Sequence, residues 1–424
     1  MKTKRRACLL TGLMALTSLM GCSDSDDDEL TPVKAALVAP LSGPSEGSGR
    51  EIRNAAELAL DQERAAGNAI AERFSFLFVD SQSDPMAASE DYQAAIDDPA
   101  VQLGFFNWHS NVALELSNMA ADAKFPHLFA LGATNELNQQ FSMDPAKHRG
   151  TWFKGWPSPE LLSVNYVTAI EAAVQSGQFD AGDKVAVVYG EDTSWGRTFG
   201  GAIKAQLENA GWTVALETYV ADDAIDYTTD LAPVVQAKPQ LIAGTIASSS
   251  IYSWIQQARS EFDKAMEPQP LIVADGLGWN GDWYQTLGAT SDGVVDQIPQ
   301  FVSDDAISFR DAYEARYGEP PSPSAAGLAF DYTKFMFKVL AEVETRDGEI
   351  TREGILQVAA DLITTGQLAF GDGILMESYE YSEDSWPDPV VGGDAFTFPV
   401  LQYQTGDSVV VFPQSLAGDN QITN

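Results

Sequence analysis

Three short turns carry the side chains best suited to chemistry, and they suit the holding of a small charged molecule. Ser110 opens a helical pattern, where unpaired backbone N–H groups and the positive end of the helix dipole favour an anion. Gly132-Ala133-Thr134 adds a glycine that permits close approach and a hydroxyl beside it. Asp275 ends the apolar run Leu271-Ile272-Val273-Ala274, so a carboxylate stands at a strand end and favours a cation once water leaves. Trp108 and Trp195 stand at further strand ends, with Trp279 and Trp283 near another, and such rings suit an apolar or planar ligand portion. Each feature also has a plainer reading: Ser110 as a helix cap, Asp275-Gly276 as a turn pair, each tryptophan as packing.

Catalysis finds little to stand on. The cysteines are Cys8 and Cys22, both near the N-terminus, which leaves the body no thiol nucleophile, thiolate metal site or disulfide scaffold. His109, His127 and His148 are isolated, no glycine-rich phosphate loop is present, and no nucleophile stands beside a base. His109 next to Ser110 invites a hydrolase reading, but chain neighbours rarely point at each other. No catalytic residue, metal or cofactor is therefore expected. The formal net charge of −36 argues against nucleic acid as a partner, because phosphates would be repelled.

The elements that must position these turns alternate in a regular way. From Pro32 onward, short apolar runs alternate with helical patterns, as in a parallel sheet wrapped by helices. Strands are expected at 35–40, 74–80, 101–106 and 127–131, then at 184–189, 214–219, 240–245 and 271–274. Asp84-Pro85 and Ser158-Pro159 each set a cap before a proline at the first helical position. Two such series of about 120 residues imply two similar α/β lobes rather than one large domain. Ligands of open α/β sheets sit beyond the carboxyl ends of the strands. That rule selects 41–48, 81–84, 108–110 and 132–134 in the first series, and 191–195, 246–249 and 275–278 in the second. The stretch 372–394, rich in glycine, proline and acid, reads as a surface excursion.

The N-terminus decides location. Lys2, Lys4, Arg5 and Arg6 precede an apolar stretch from Ala7 to Leu19, well short of the roughly 20 residues that span a bilayer. Leu19-Met20-Gly21-Cys22 resembles the lipobox of bacterial lipoproteins, which implies cleavage before Cys22 and lipidation of its sulfur. Removing residues 1–21, with four basic residues and no acidic one, takes the formal net charge from −36 to −40. Residues 22–32 then form an acidic tether between a membrane anchor and the body.

The order of motifs becomes specific at this point. Ala39-Pro40-Leu41-Ser42-Gly43-Pro44 followed by Ala55-Ala56-Glu57-Leu58-Ala59 resembles the opening of the leucine/isoleucine/valine-binding type of periplasmic solute-binding protein. Asp80-Ser81-Gln82-Ser83-Asp84-Pro85, Ser110 to Leu114 and Gly132-Ala133-Thr134 are similar to its next three βα turns. Tyr189-Gly190 through Trp195-Gly196 resembles the first turn of its second lobe. Phe309, Tyr313, Arg316, Tyr317-Gly318, Pro320-Pro321 and Phe330-Asp331 resemble its late helix pair.

The resemblance implies two doubly wound, Rossmann-like α/β lobes joined by three hinge crossovers, near Trp152, Phe301 and Ala395. Lobe one is then 33–152 with 301–395, and lobe two 153–300 with 396–424. It also implies that Ser110, Gly132 and Thr134 grip a ligand carboxylate, that Asp275 meets its ammonium, and that Trp195 packs on it, with Trp108 as a further wall. Ser48 and Ser248 stand where branched-chain binders are bulkier, which leaves room for a larger amino acid, an amide or an aromatic acid. The function so implied is a monomeric, lipid-anchored envelope receptor that hands its ligand to an ABC permease. A sensing or accessory lipoprotein of the same fold is the alternative, and a hydrolase a more distant one.

Overall fold

Alternating buried strands and capped helices build two sheets, and the computed structural model describes residues 31–279, 281–301, 303–365, 368–375, 378–391 and 398–423. The signal segment, Cys22 and the crossover near Ala395 lie outside them. The first series runs β1 (Val33–Ala39), α1 (Glu46–Ala65), α2 (Ala69–Glu72), β2 (Phe74–Asp80), α3 (Pro85–Asp97) and β3 (Leu103–Phe105). It continues through α4 (Ser110–Ala123), β4 (His127–Ala130), α5 (Asn135–Met143), α6 (Pro145–His148) and β5 (Trp152–Lys154). Its five strands are parallel, in the order β2-β1-β3-β4-β5.

The second series runs α7 (Pro159–Ser176), β6 (Val185–Glu191), α8 (Ser194–Asn209), β7 (Thr213–Val220), α9 (Thr228–Ala237) and β8 (Leu241–Thr245). Then come α10 (Ser250–Ala265), β9 (Leu271–Asp275), α11 (Trp283–Leu287) and β10 (Val295–Gln297). The chain returns to the first lobe with α12 (Asp304–Tyr317), α13 (Leu328–Asp347) and α14 (Arg352–Thr365), and α13 packs along α1. A small hairpin of β11 (Ala369–Phe370) and β12 (Tyr379–Glu380) follows. β13 (Val400–Gln404), β14 (Asp407–Phe412) and α15 (Gln414–Ala417) then complete the second lobe. Its sheet has the order β14-β13-β10-β9-β8-β6-β7, with β13 antiparallel to β10 and β14 antiparallel to β13.

The parallel strands therefore repeat one pattern twice: second, first, third, fourth, fifth. Strands such as β8 and β9 are buried along their whole length, because helices cover both faces of a parallel sheet. Local signals set the helices. Asp84 accepts the Ala87 N–H at 2.9 Å ahead of Pro85, and Gly177 in the left-handed region ends α7.

β5 pairs with β4, so the chain leaves the first lobe's sheet after Lys154. A three-residue strand buried on both sides leaves no alternation to read. The segment from 372, expected as a surface excursion, is pinned down at several points. Asp331 on α13, fully buried, accepts the Ile374 and Leu375 N–H groups at 2.8 and 3.2 Å and the Tyr379 hydroxyl at 3.1 Å. Tyr381 is buried and donates to the Lys154 carbonyl at 2.6 Å. Lys154, itself buried, ion-pairs with Asp388. Asp331→Ala takes the acceptor from the buried Ile374 and Leu375 N–H groups, so urea unfolding is expected to show a loss of roughly 2 kcal/mol or more. An unchanged midpoint would mean that this segment is not anchored there.

Candidate functional site

In each sheet the strand order reverses between its first and third parallel strand, which opens a crevice at the carboxyl ends. The turns at those crevices meet around one cavity. Trp108, His109, Ser110 and Asn111 come from the turn between β3 and α4, and Leu131 from the end of β4. Trp156 comes from the first crossover. Glu191, Thr193 and Trp195 come from the turn between β6 and α8, Ala247 from that after β8, and Trp279 from that after β9. The cavity is a narrow slot, in which the centres of water-sized molecules range over about 40 Å³, room for roughly three waters.

Four indole rings wall the slot, and Trp279 is their hub. It meets Trp108 at 5.7 Å and Trp156 at 6.0 Å, both edge to face, and Trp195 at 6.0 Å with the planes tilted by 50°. Trp195 is fixed by its own N–H, which donates to Thr245 Oγ1 at 3.1 Å. The indole N–H groups of Trp156 and Trp279 have no protein acceptor.

Among the described residues, one carboxyl group lines the cavity. Glu191 ends β6, and its Oε2 accepts the Ala247 N–H at 2.7 Å while its Oε1 accepts the Thr193 hydroxyl at 2.7 Å. Thr193 also caps α8, accepting the Gly196 N–H at 3.0 Å. Gly196 is required there, because a Cβ would lie 2.1 Å from the Glu191 carbonyl oxygen. Burial pushes the Glu191 carboxyl up to about 7, against the pull of those two hydrogen bonds. Across the slot, His109 shares a 3.0 Å hydrogen bond with Ser45, and desolvation pushes it down to about 4, so its ring is neutral at physiological pH.

The residues singled out from sequence fall into two groups. Trp108, Ser110 and Trp195 line the cavity. Ser110 is the first residue of α4 and not its cap; its hydroxyl accepts the Ala133 N–H at 3.2 Å, tying two turns together. Gly132 packs instead of touching the slot, since a Cβ there would lie 2.7 Å from the His109 carbonyl oxygen. Thr134 caps α5 and meets Thr198 of α8 at 3.0 Å, a hydrogen bond between the lobes. Ser248 is spent on the turn after β8, donating to the Asp222 carbonyl at 2.9 Å, and Ser48 is buried within α1.

Asp275 does not reach the cavity. It pairs with Thr245 across the sheet, behind Trp195, and accepts the Tyr166 hydroxyl at 2.8 Å. Burial and the neighbouring Asp296 push its carboxyl far up, towards the neutral form, which has no pull on a cation. Asp296 holds the ionised share better, with N–H donors from Gly276, Gly278 and Gln297 and the Tyr403 hydroxyl. The acidic strand end that faces the slot is Glu191. Its turn is selected by the strand-end rule, but nothing in the sequence separates it from Asp275.

Further contacts hold the lobes together. Glu51 on α1 is buried and accepts the Gly281 N–H of the second lobe at 3.3 Å and the Ser322 N–H at 2.8 Å. Ser194 donates to Glu136 at 3.3 Å. Among the described residues, no three His, Cys, Asp or Glu side chains converge as a metal site.

Known proteins place this geometry in context. A Leu/Ile/Val-binding protein homologue from Brucella abortus is 23% identical over 402 residues, 92% of each chain. A solute-binding protein of an ABC transporter from R. palustris, solved with benzoate, superposes with a TM-score of 0.70 at 18% identity, covering 89% of this chain and 95% of that one. A branched-chain amino acid transporter substrate-binding protein from Streptococcus pneumoniae, solved with isoleucine, gives 0.67 at 17% identity, covering 89% and 97%. The periplasmic binding protein family model matches residues 32–373, and with two doubly wound lobes around one cleft this chain belongs to that family of solute-binding proteins, not enzymes.

Proposed function

We propose that this chain is a lipid-anchored extracytoplasmic receptor that closes on a small zwitterionic ligand, an amino acid or an analogue, and delivers it to an ABC permease. One observation carries the reading: a single slot walled by turns of both lobes, with helix N–H groups on one side and a carboxyl on the other. The α4 terminus has no side-chain cap, so the N–H groups of Ser110 and Asn111 are left to meet a ligand carboxylate. Glu191 takes the ligand's cation, in place of Asp275. Ligand contacts in both lobes stabilise the closed state at the expense of the open one, and no bond is made or broken. The Cys22 motif supports the anchor, and the transporter relatives support the permease.

A thermal-shift screen of the chain freed of its lipid, against amino acids with their N-methylated analogues, amides and aromatic acids, tests the reading. A ligand at a hundred times its Kd should add about 2.7 kcal/mol of stability and raise Tm by several degrees, with a change in tryptophan fluorescence. No hit in any of the three classes would contradict it.

The role of Glu191 has its own signature. With its carboxyl at about 7, ionisation grows from pH 5.5 to pH 8, so affinity for a cation-bearing ligand should rise over that window. Glu191→Gln should lower affinity at least about tenfold at pH 8, less at pH 5.5, and remove most of the pH dependence. Asp275→Asn should stay within about threefold of wild type. Calorimetric titration at both pH values decides, and the opposite ranking of the two variants would return the role to Asp275.

A further inference from the structure

The amino-acid class named above leaves open what kind of cation the slot accepts, and the tryptophans bear on that. Three turns, from both lobes, and the crossover each contribute one indole, and three of the rings surround the fourth within 6.0 Å at angles of 50° or more. The rings meet edge to face or tilted rather than stacked flat, and all four line the slot. Indole faces carry negative charge density and attract a cation strongly when water is excluded. No Lys or Arg is among the described residues lining the slot; its ionisable groups are Glu191 and the neutral His109. The slot is built for positive charge.

A primary ammonium is a poor fit for it. Such a group brings three N–H donors, each of which must regain the hydrogen bond it had with water. Indole rings replace those bonds weakly, and each Glu191 oxygen already accepts one hydrogen bond, from Ala247 or Thr193, which leaves the carboxylate fewer acceptor sites than the three N–H groups need. A quaternary ammonium has no N–H to satisfy. Its methyl groups pack on the rings, and its spread charge needs only the ring faces and one nearby carboxylate. Acceptors on the ligand are wanted elsewhere: the indole N–H groups of Trp156 and Trp279 have no partner, although those residues are only 4% and 6% exposed. A ligand carboxylate close to the cation would meet them, with the free N–H groups of α4.

We propose that the ligand is a betaine, a small zwitterion whose quaternary ammonium sits among Trp108, Trp156, Trp195 and Trp279 with Glu191 as counter-charge. This deepens the receptor reading and rests on it. The acidic surface, with a formal net charge of −36 for the whole chain, also draws in cationic groups.

Four probes test it by calorimetry on the chain freed of its lipid: trimethylglycine, glycine, leucine and 3,3-dimethylbutanoate. The last has the shape of trimethylglycine without the positive charge. Trimethylglycine should bind at least about tenfold more tightly than each of the others. Trp279→Phe should keep part of that preference and Trp279→Leu should lose it, and the pair Trp195→Phe and Trp195→Leu should repeat the result. Tighter binding of glycine or leucine would overturn the betaine and leave an amino-acid receptor standing. Equal binding of 3,3-dimethylbutanoate would overturn it by showing that shape, not charge, is read. Binding of none of the four would overturn it as well, and the wider screen of amides and aromatic acids then decides the receptor reading separately.

Discussion

A carboxyl group taken out of water at the end of β6, against a wall of indole rings, is the constraint on which the site depends. Burial of that kind costs free energy in the ionised state, and two hydrogen bonds offset only part of it. A fold concerned with stability alone would place an apolar residue there. Keeping Glu191 in place requires Thr193 to orient it, Ala247 to donate to it and Gly196 to leave it room. Thr193 and Gly196 come from its own turn and Ala247 from the turn after β8, and all three serve the same carboxyl.

The sheets explain why such groups converge. The same order of five parallel strands in the two lobes puts two crevices at their carboxyl ends, and the crossovers let those crevices face each other. Bonds then span the gap: Thr134 to Thr198, Ser194 to Glu136, Gly281 to Glu51. The same crossing brings Trp108 from one side against Trp279 from the other. Closure is therefore written into side chains of both lobes, and a ligand needs to add only a difference between the open and closed states.

Much of this was legible in the sequence where the signal is local. Buried strands announce themselves as apolar runs, and Asp84-Pro85 marks a helix start without help from the rest of the chain. Ser110, Trp108 and Trp195 were reachable because a strand end followed by a helix start defines a turn at the crevice. What the sequence left unread is of another kind. Asp275 and Glu191 are both acids at strand ends, and what separates them is β10, which brings Asp296 against one and not the other. That strand has three residues and no readable pattern. Trp156 lies in a crossover, outside any strand-end rule. The polar stretch after Asp372 looks like surface by composition, yet Asp331 and two tyrosines fix it from beneath. Non-local pairing decides all three cases.

The central claim is that Glu191 is a desolvated carboxyl poised for a cation. A 13C NMR titration of its side-chain carboxyl, assigned by comparison with Glu191→Gln, measures that directly. The account expects a midpoint near 7 in the free protein and a fall of at least one pH unit once a cation-bearing ligand is bound. A midpoint near 4 in the free protein, or one unmoved by ligand, would contradict it.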